Sequence, residues 1–310
     1  GFVWNTASIY WVFNSLNAVL PSWVSLLISL IPFGLAPLLM ATVFRMYYEI
    51  RKKQSVLISF IALVSLWIGY EYLHQTWDLA FPWMTLGNGF ANFHQIIQWY
   101  SVTGVYGGTL WIWIVNILAF LFYWQYKHKV QAYSQKLILS LGGLIALPIF
   151  ISVIQYYSYE EPINPSEIVV VQPNIDPYQK FGSISPAEQL ENLITLSKSV
   201  AKPNTEFFIW PETAISERGG INEEDFRQYP SYARIVDFLS EYHNGNVLSG
   251  IESYRIYQDK QTNTARPFGA SYVDSFNGST LIDGSSILQY YHKSKLVPGV
   301  EQLPFGDWLA

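Results

Sequence analysis

The sequence contains no cysteine, and charged side chains make up only 13% of its 310 residues. The missing cysteine excludes a disulfide, a thiolate metal site and a cysteine nucleophile within these residues. Soluble proteins average about 25% charged residues, so the low charge argues against an ordinary cytosolic enzyme. The sequence also lacks metal-ligand spacing among its five histidines, a phosphate-binding glycine loop and a basic patch for nucleic acid. It therefore predicts no metal, no cofactor and no nucleic-acid partner.

The few charges are divided unevenly along the chain. Residues 1–164 hold seven of the 18 basic and five of the 23 acidic side chains, which gives this part a net charge of +2. The remaining residues carry a net charge of −7. A nearly charge-free part followed by a polar, acidic part predicts a membrane region joined to a water-exposed region. We place the boundary between residues 160 and 161.

Five segments of the first part are candidates for membrane spans. Crossing a hydrocarbon core of roughly 30 Å takes about 20 apolar residues in a helix. The candidate segments are residues 1–20, 22–44, 56–74, 102–126 and 137–157. The alternative, buried helices of a large soluble domain, is disfavoured because the surface helices of such a domain normally carry a polar stripe. The sequence thus predicts a multi-span α-helical membrane domain over residues 1–160.

The basic residues between these segments indicate their orientation. Residues 45–53 and 127–136 hold all seven Lys and Arg side chains of this part, whereas the loops at 17–22 and 75–101 hold none. Loops rich in Lys and Arg face the cytoplasm. We therefore expect everything after about Ser158 to lie outside the cytoplasm, on the same side as the aromatic-rich loop near residues 75–100.

Two features beside that loop each admit two interpretations. The loop contains Phe81-Pro82-Trp83, and it could be a surface over which lipid reaches a site or simply a packed surface loop. Glu71 and His74 lie three residues apart on one helical face near the loop. Ionisable residues at membrane depth are functional candidates, but a pair at a helix end facing the interface is an equally good account.

From Glu167 onwards the pattern changes to short apolar runs alternating with amphipathic helices. Five runs are typical of strands: residues 168–171, 207–210, 247–251, 271–273 and 287–291. One helix is predicted from the capping box Ser185-Pro186-Ala187-Glu188 and another over residues 232–242. Asn277-Gly278 is a turn signal between the last two runs. This alternation predicts an α/β layered domain over residues 161–310.

Two ionisable residues follow predicted strands at their carboxyl ends, where ligands collect in such sheets. Glu212 comes directly after Trp210-Pro211, and Lys293 comes directly after Tyr290-Tyr291-His292. A carboxylate and an ammonium brought together by neighbouring strands could serve as general base and oxyanion stabiliser. A surface salt bridge is an equally good interpretation of these two residues alone.

Three motifs carry a family resemblance. They are Trp210-Pro211-Glu212-Thr213-Ala214, Val171-Gln172-Pro173-Asn174-Ile175, and Tyr291-His292-Lys293-Ser294-Lys295-Leu296-Val297-Pro298. On a domain that follows several membrane spans, together with Glu71-Tyr72-Leu73 and Phe81-Pro82-Trp83, they resemble apolipoprotein N-acyltransferase, a membrane-bound member of the nitrilase superfamily. The resemblance covers nearly the whole chain. It implies that the polar domain is a nitrilase-like α-β-β-α sandwich in the periplasm of a multi-pass protein of the bacterial inner membrane.

The resemblance also implies roles for individual residues in a Glu-Lys-Cys triad. Glu212 would be the general base that takes the thiol proton, and Lys293 would stabilise the tetrahedral oxyanion. Glu301 would be the auxiliary carboxylate of the family's Pro-Phe-Gly-Glu segment, although the two middle residues differ in Pro298-Gly299-Val300-Glu301.

Three further residues would contact substrate by the same resemblance: Phe181, Trp210 and Tyr291. The family commonly has Lys-Trp in an arm over the site, where this sequence has Lys180-Phe181. Phenylalanine keeps an apolar contact and loses the indole N–H.

The implied reaction is a two-step acyl transfer. A cysteine thiolate takes an acyl chain from a phospholipid as a thioester, and the α-amino group of the N-terminal diacylglyceryl-cysteine of an apolipoprotein then accepts it. The family's cysteine lies beyond the catalytic lysine, and no cysteine follows Lys293 here. We therefore expect a chain truncated at both ends and inactive by itself. The alternatives are a membrane-tethered nitrilase-type amidase and a noncatalytic lipid-binding membrane scaffold.

Overall fold

The structure is a computed structural model that describes residues 1–129, 134–161, 165–176, 180, 182–262, 264–283, 287–298, 301 and 305. The chain divides into two compact units. One unit comprises Gly1–Glu160 and Val297–Ala310, and the other comprises Glu161–Leu296. The first unit is helical and the second is built on a sheet. The predicted combination of a multi-span helical domain with an α/β domain is confirmed.

The first unit consists of six helices within the described residues. They are α1 (Phe2–Ile9), α2 (Trp11–Asn17), α3 (Ser22–Arg51), α4 (Val56–Thr76), α5 (Tyr100–Lys127) and α6 (Ser134–Tyr157), with 3-10 segments at Pro82–Met84 and Leu86–Ile96. Of these, α3 to α6 are long and apolar enough to cross a membrane. Residues 1–20, expected to form a fifth span, form α1 and α2 instead. Tyr10 separates them, and neither is among the helices that are long and apolar enough to cross a membrane.

Helices α3 and α4 pack along one stripe of buried side chains. The buried positions of α3 recur every three or four residues, at Ser25, Ser29, Phe33, Ala36, Met40 and Val43. This spacing places them on one helical face. Met40 and Val43 form a cluster with Leu63, Trp67 and Tyr70 of α4. The other faces are also apolar and stay exposed, as expected for helices that meet lipid rather than water.

The second unit is built on a mixed seven-stranded sheet. Its strands are β1 (Ile168–Val170), β2 (Phe207–Ile209), β3 (Ile221–Asn222), β4 (Asn246–Tyr257), β5 (Arg266–Phe268), β6 (Ser271–Ile282) and β7 (Gln289–His292). The main order is β1-β2-β4-β6-β5, with β3 paired to β4 and β7 paired to β6. The pairs β1–β2, β2–β4 and β3–β4 are parallel, whereas the pairs made by β6 are antiparallel.

Two helices, α7 (Pro186–Val200) and α8 (Pro230–Leu239), pack on this sheet. Helix α7 begins with the predicted capping box, in which Ser185 and Glu188 exchange side-chain to backbone hydrogen bonds. The apolar side chains of both helices join those of β2 and β4 in one core. This sheet with its helices is consistent with a nitrilase-like domain, and the second sheet of the predicted sandwich is not among the described residues.

The turn predicted at Asn277-Gly278 is wrong. Both residues lie inside β6, which runs without interruption from Ser271 to Ile282. Gly278 is required there by a close approach, because a Cβ atom on it would lie 2.7 Å from the carbonyl oxygen of Tyr291 in β7. A glycine inside a strand often marks such an approach of another backbone.

Candidate active site

Glu212 and Lys293 meet in a cleft of the α/β unit. Lys293 Nζ lies 3.1 Å from Glu212 Oε1, and the two side chains are 30% and 62% exposed. The cleft has a volume of about 390 Å³ and is lined by residues that follow or belong to β2, β4, β6 and β7. The expectation that neighbouring strands deliver the pair is wrong, because β4 and β6 lie between β2 and β7.

The pair can meet because the turn after β2 lies against Gly250 of β4 before the chain pairs with β4 again at Ile215. A Cβ atom on Gly250 would lie 2.5 Å from the carbonyl oxygen of Pro211 and 2.6 Å from Glu212 Cα. The Gly250 N–H donates to that Pro211 oxygen at 3.2 Å. Thr213 then turns the chain with a φ of +48°, a left-handed conformation that is uncommon for a residue with a side chain. This turn places the Glu212 side chain within reach of β6 and of the residue that follows β7.

The position of Lys293 is set by the ladder between β6 and β7. Its backbone N–H donates to the Asn277 carbonyl oxygen at 2.8 Å, which extends the pairing one residue past the end of β7. The Asn277 side chain also donates, from Nδ2, to Glu212 Oε1. One carboxylate oxygen therefore accepts hydrogen bonds from both Lys293 and Asn277. Sequence reasoning missed Asn277 because its Asn-Gly signal is typical of a turn.

A second ammonium, that of Lys180, contacts the same turn. Its Nζ donates to the backbone oxygen of Glu212 at 2.9 Å and to the Thr213 hydroxyl. Burial lowers the pKa of Lys180, and the nearby carboxylates of Glu212 and Glu252 oppose that shift. Lys180 thus holds the backbone of Glu212, whereas Lys293 contacts its carboxylate.

The remaining aromatic residues of the resemblance differ in their surroundings. Tyr291 is 64% exposed and lines the cleft. Trp210 also borders the cleft but is buried, and its indole N–H donates to the Ser197 hydroxyl of α7 at 3.0 Å. The contacts of Trp210 are those of a core residue beneath the site. Phe181 lies outside the described residues. Substrate contact by these three residues stays a prediction.

Glu301 belongs to the segment that groups with the helical unit. Its carboxylate accepts a hydrogen bond from the Val297 backbone N–H at 2.7 Å, and its own N–H donates to the Val297 oxygen at 2.9 Å. The auxiliary catalytic role of Glu301 stays a prediction.

In the helical unit, Glu71 is buried and hydrogen-bonded. It accepts hydrogen bonds from the Trp67 indole at 2.9 Å, from the Leu86 backbone N–H at 2.9 Å and from the Thr109 hydroxyl at 2.6 Å. The carboxylate thereby joins α4, the 3-10 segment of the aromatic loop and α5. His74 is also buried, and among the described residues neither of its ring nitrogens has a hydrogen-bond partner. The hydrogen bond from Leu86 to Glu71 shows that the start of the Leu86–Ile96 segment packs against α4. Trp83, which precedes this segment, is 63% exposed.

Comparison with known proteins supports the resemblance. Residues 1–118 match the model of the apolipoprotein N-acyltransferase N-terminal domain. One relative is an apolipoprotein N-acyltransferase of Chlorobaculum tepidum. It has 26% sequence identity in an alignment that covers 84% of this chain and 49% of that protein. Apolipoprotein N-acyltransferase 2 of Treponema denticola is 24% identical to 85% of this chain, which covers 48% of that protein. The Rickettsia prowazekii enzyme of the same name is 24% identical to 79% of this chain, which covers 44% of it.

The chain thus spans about half the length of the curated relatives it matches. The similarity runs through both units, since it extends well past the segment matched by the N-terminal domain model. Residues 1–118 thus match the N-terminal domain of apolipoprotein N-acyltransferases, and the similarity to proteins of that name extends over most of the chain.

Proposed function

We propose that this protein is an N-acyltransferase that moves an acyl chain from a phospholipid to the α-amino group of the N-terminal diacylglyceryl-cysteine of an apolipoprotein. The observation that carries the proposal is the Glu212–Lys293 pair in a cleft of a unit joined to a family-type membrane domain. An exposed ion pair contributes only about 0–1 kcal/mol to stability. Stability alone therefore gives little reason for a turn packed against Gly250, an asparagine and a lysine to converge on one carboxylate.

In the proposed reaction Glu212 accepts the proton of a cysteine thiol, and the thiolate attacks the acyl carbonyl carbon of the phospholipid. Lys293 stabilises the oxyanion that develops on the carbonyl oxygen. The tetrahedral intermediate collapses to a thioester as the lysophospholipid leaves with a proton. The apolipoprotein amine then attacks the thioester, forms the amide and releases the thiol. These 310 residues contain no cysteine, so the reaction is proposed for the protein as its gene encodes it.

The proposed location is the bacterial inner membrane, with the α/β unit in the periplasm. Two features support this orientation. The helices α3 to α6 have the length and composition of membrane spans, and the basic residues lie in the loops 45–53 and 127–136. Basic loops remain on the cytoplasmic side, so the segment after α6 emerges on the opposite side.

The test is acyl transfer by the gene-encoded protein in mixed micelles that contain an acyl-labelled phospholipid and a diacylglyceryl-cysteine peptide. We expect Glu212→Gln and Lys293→Met each to lower kcat by about 100-fold or more, the usual range for a lost general base or oxyanion donor. Glu191→Gln is the matched control, because it removes an exposed carboxylate from an ion pair with Arg234. It should leave the rate unchanged.

Three results would overturn the proposal. Wild-type rates in both variants would show that the pair is not catalytic. Hydrolysis of small amides without transfer of acyl chains to the peptide would instead identify a membrane-tethered amidase. A protein that binds labelled lipid and carries out neither reaction would be a noncatalytic scaffold.

A further inference from the structure

Lys293 is presented by a short strand at one side of the sheet. Strand β7 has four residues, and among the described residues its ladder partner is β6. A slip of one residue in such a pairing moves every side chain to the other face. Lys293 would then leave the cleft. The catalytic geometry therefore depends on what fixes the register of β7.

A buried carboxylate on the other face of the sheet contacts β7. Glu223 follows β3, and its side chain is only 2% exposed. It accepts hydrogen bonds from the Ser253 hydroxyl at 2.7 Å and from Arg255 Nε at 2.5 Å, both on β4. Its Oε1 also lies 2.7 Å from Nε2 of His292, the last residue of β7. One carboxylate thus connects the end of β3, β4 and the residue that immediately precedes Lys293.

The His292 ring is held in a second way. It stacks on the Phe276 ring of β6 with centroids 3.7 Å apart and planes inclined by only 4°. The Tyr290 hydroxyl, two residues earlier on the same face of β7, donates to the Glu223 backbone oxygen at 3.4 Å. Successive side chains of a strand point to opposite faces. These contacts therefore hold β7 on the face opposite the cleft, while Tyr291 and Lys293 line the cleft.

Stability alone does not account for this arrangement. Burying a charged group is costly, and buried ion pairs are often no better for stability than apolar side chains of similar size. The hydrogen bonds of the Glu223 carboxylate do fix the orientation of its partners, because hydrogen bonds to an ionised carboxylate are short and strongly oriented.

We propose that Glu223 is a positioning residue for the Lys293 ammonium, acting through His292 by fixing the register and tilt of β7. The catalytic meaning of this role rests on the proposed function of Lys293, whereas the structural coupling between Glu223 and Lys293 does not. The two parts can therefore be tested separately on the same variants.

The experiment compares Glu223→Gln with Asp274→Asn in the gene-encoded protein. Asp274 is the matched control, a buried carboxylate on β6 that accepts hydrogen bonds from Thr262 and Thr264. The first measurement is the rate at which an amine-reactive reagent modifies Lys293, followed by mass spectrometry over a range of pH. The second is the steady-state kinetics of acyl transfer.

We expect Glu223→Gln to change the labelling rate of Lys293 and its pH midpoint, and Asp274→Asn to change neither. In acyl transfer, Glu223→Gln should lower kcat by roughly 10- to 100-fold, the effect of a misplacement of about 1 Å, while KM for phospholipid stays the same. His292→Gln, whose amide can still donate to Glu223, should retain more activity than His292→Ala. These histidine variants also decide the question if Glu223→Gln fails to fold.

Unchanged Lys293 labelling in folded Glu223→Gln and His292→Ala would overturn the proposal, and so would an equal change in Asp274→Asn. If the wild type transfers no acyl chain but Lys293 labelling still responds to Glu223→Gln, the proposed function fails and the coupling stands.

Discussion

Replacing Gly250 with alanine should disrupt the site without replacing a charged residue. The added Cβ atom would lie 2.5 Å from the Pro211 oxygen and 2.6 Å from both Glu212 Cα and Thr213 N. Atoms in favourable contact are about 3.5–4 Å apart, so the turn must move by roughly 1 Å. All three opposing atoms belong to the backbone, which cannot rotate out of the way as a flexible side chain can.

The expected cost of this overpacking is about 1–3 kcal/mol of stability. The larger effect should be on catalysis, because Glu212 moves with the turn and its 3.1 Å contact with Lys293 lengthens. A displacement of about 1 Å can lower a rate by roughly 100-fold. We therefore expect Gly250→Ala to lose most acyl transfer while its unfolding midpoint falls only modestly.

The assay is acyl transfer by the gene-encoded protein in micelles, with thermal unfolding measured on the same samples. Ser249→Ala is the control, since it changes the adjacent buried position of β4 without adding volume and removes only a hydroxyl that donates to the Gly250 oxygen. Its rate should stay close to that of the wild type. Full activity together with an unchanged midpoint in Gly250→Ala would refute the close approach of the Glu212 turn to β4.

Three further predictions concern the packing and electrostatics of each unit. Glu71→Leu leaves three buried donors without their acceptor, each at a cost of about 1–3 kcal/mol, so hydrogen exchange at the Leu86 amide should rise; Glu71→Gln keeps an acceptor oxygen and should raise it less. Ser185→Ala removes the capping box of α7 and should destabilise the α/β unit by about 0.5–2 kcal/mol with unchanged catalysis, and an unaltered denaturation midpoint would contradict this. Burial lowers the pKa of Lys180 in the folded protein below its usual 10.5. Between the folded-state pKa and 10.5 the unfolded chain binds more protons than the folded one, so the free energy of unfolding should rise with pH over this range. Lys180→Met should abolish this rise, and its persistence would exclude Lys180 as the cause.

The membrane helices were the most predictable part of the molecule. Lipid offers no partner for backbone polar groups, so a long charge-free run has to form a helix that satisfies them internally. Helices α3 to α6 accordingly lie where such runs occur. Residues 2–20 contain no proline or glycine. They nevertheless form two helices, α1 and α2, on either side of Tyr10. Both short helices pack on α3, and no proline or glycine marks the boundary between them.

The active-site region divides in the same way. The motifs around Glu212 and Lys293 mark both residues, and the capping box marks the start of α7. The Asn277-Gly278 signal was misread because local turn propensity was outweighed by pairing: β6 is hydrogen-bonded to β4 on one side and to β7 on the other. A strand with partners on both sides can hold a turn-prone dipeptide in extended conformation.

The sequence by itself determined that this protein has a basic-looped membrane part and an acidic α/β part, because charge and hydrophobic periodicity act residue by residue. It also marked the two ionisable residues that follow strands. Only the tertiary structure decided that these residues meet, since β2 and β7 are separated by two strands and the contact depends on Gly250 leaving room for the turn that holds Glu212. The same holds for Glu223. Its carboxylate accepts hydrogen bonds from Ser253 and Arg255 and contacts His292, and these residues are distant from it along the chain.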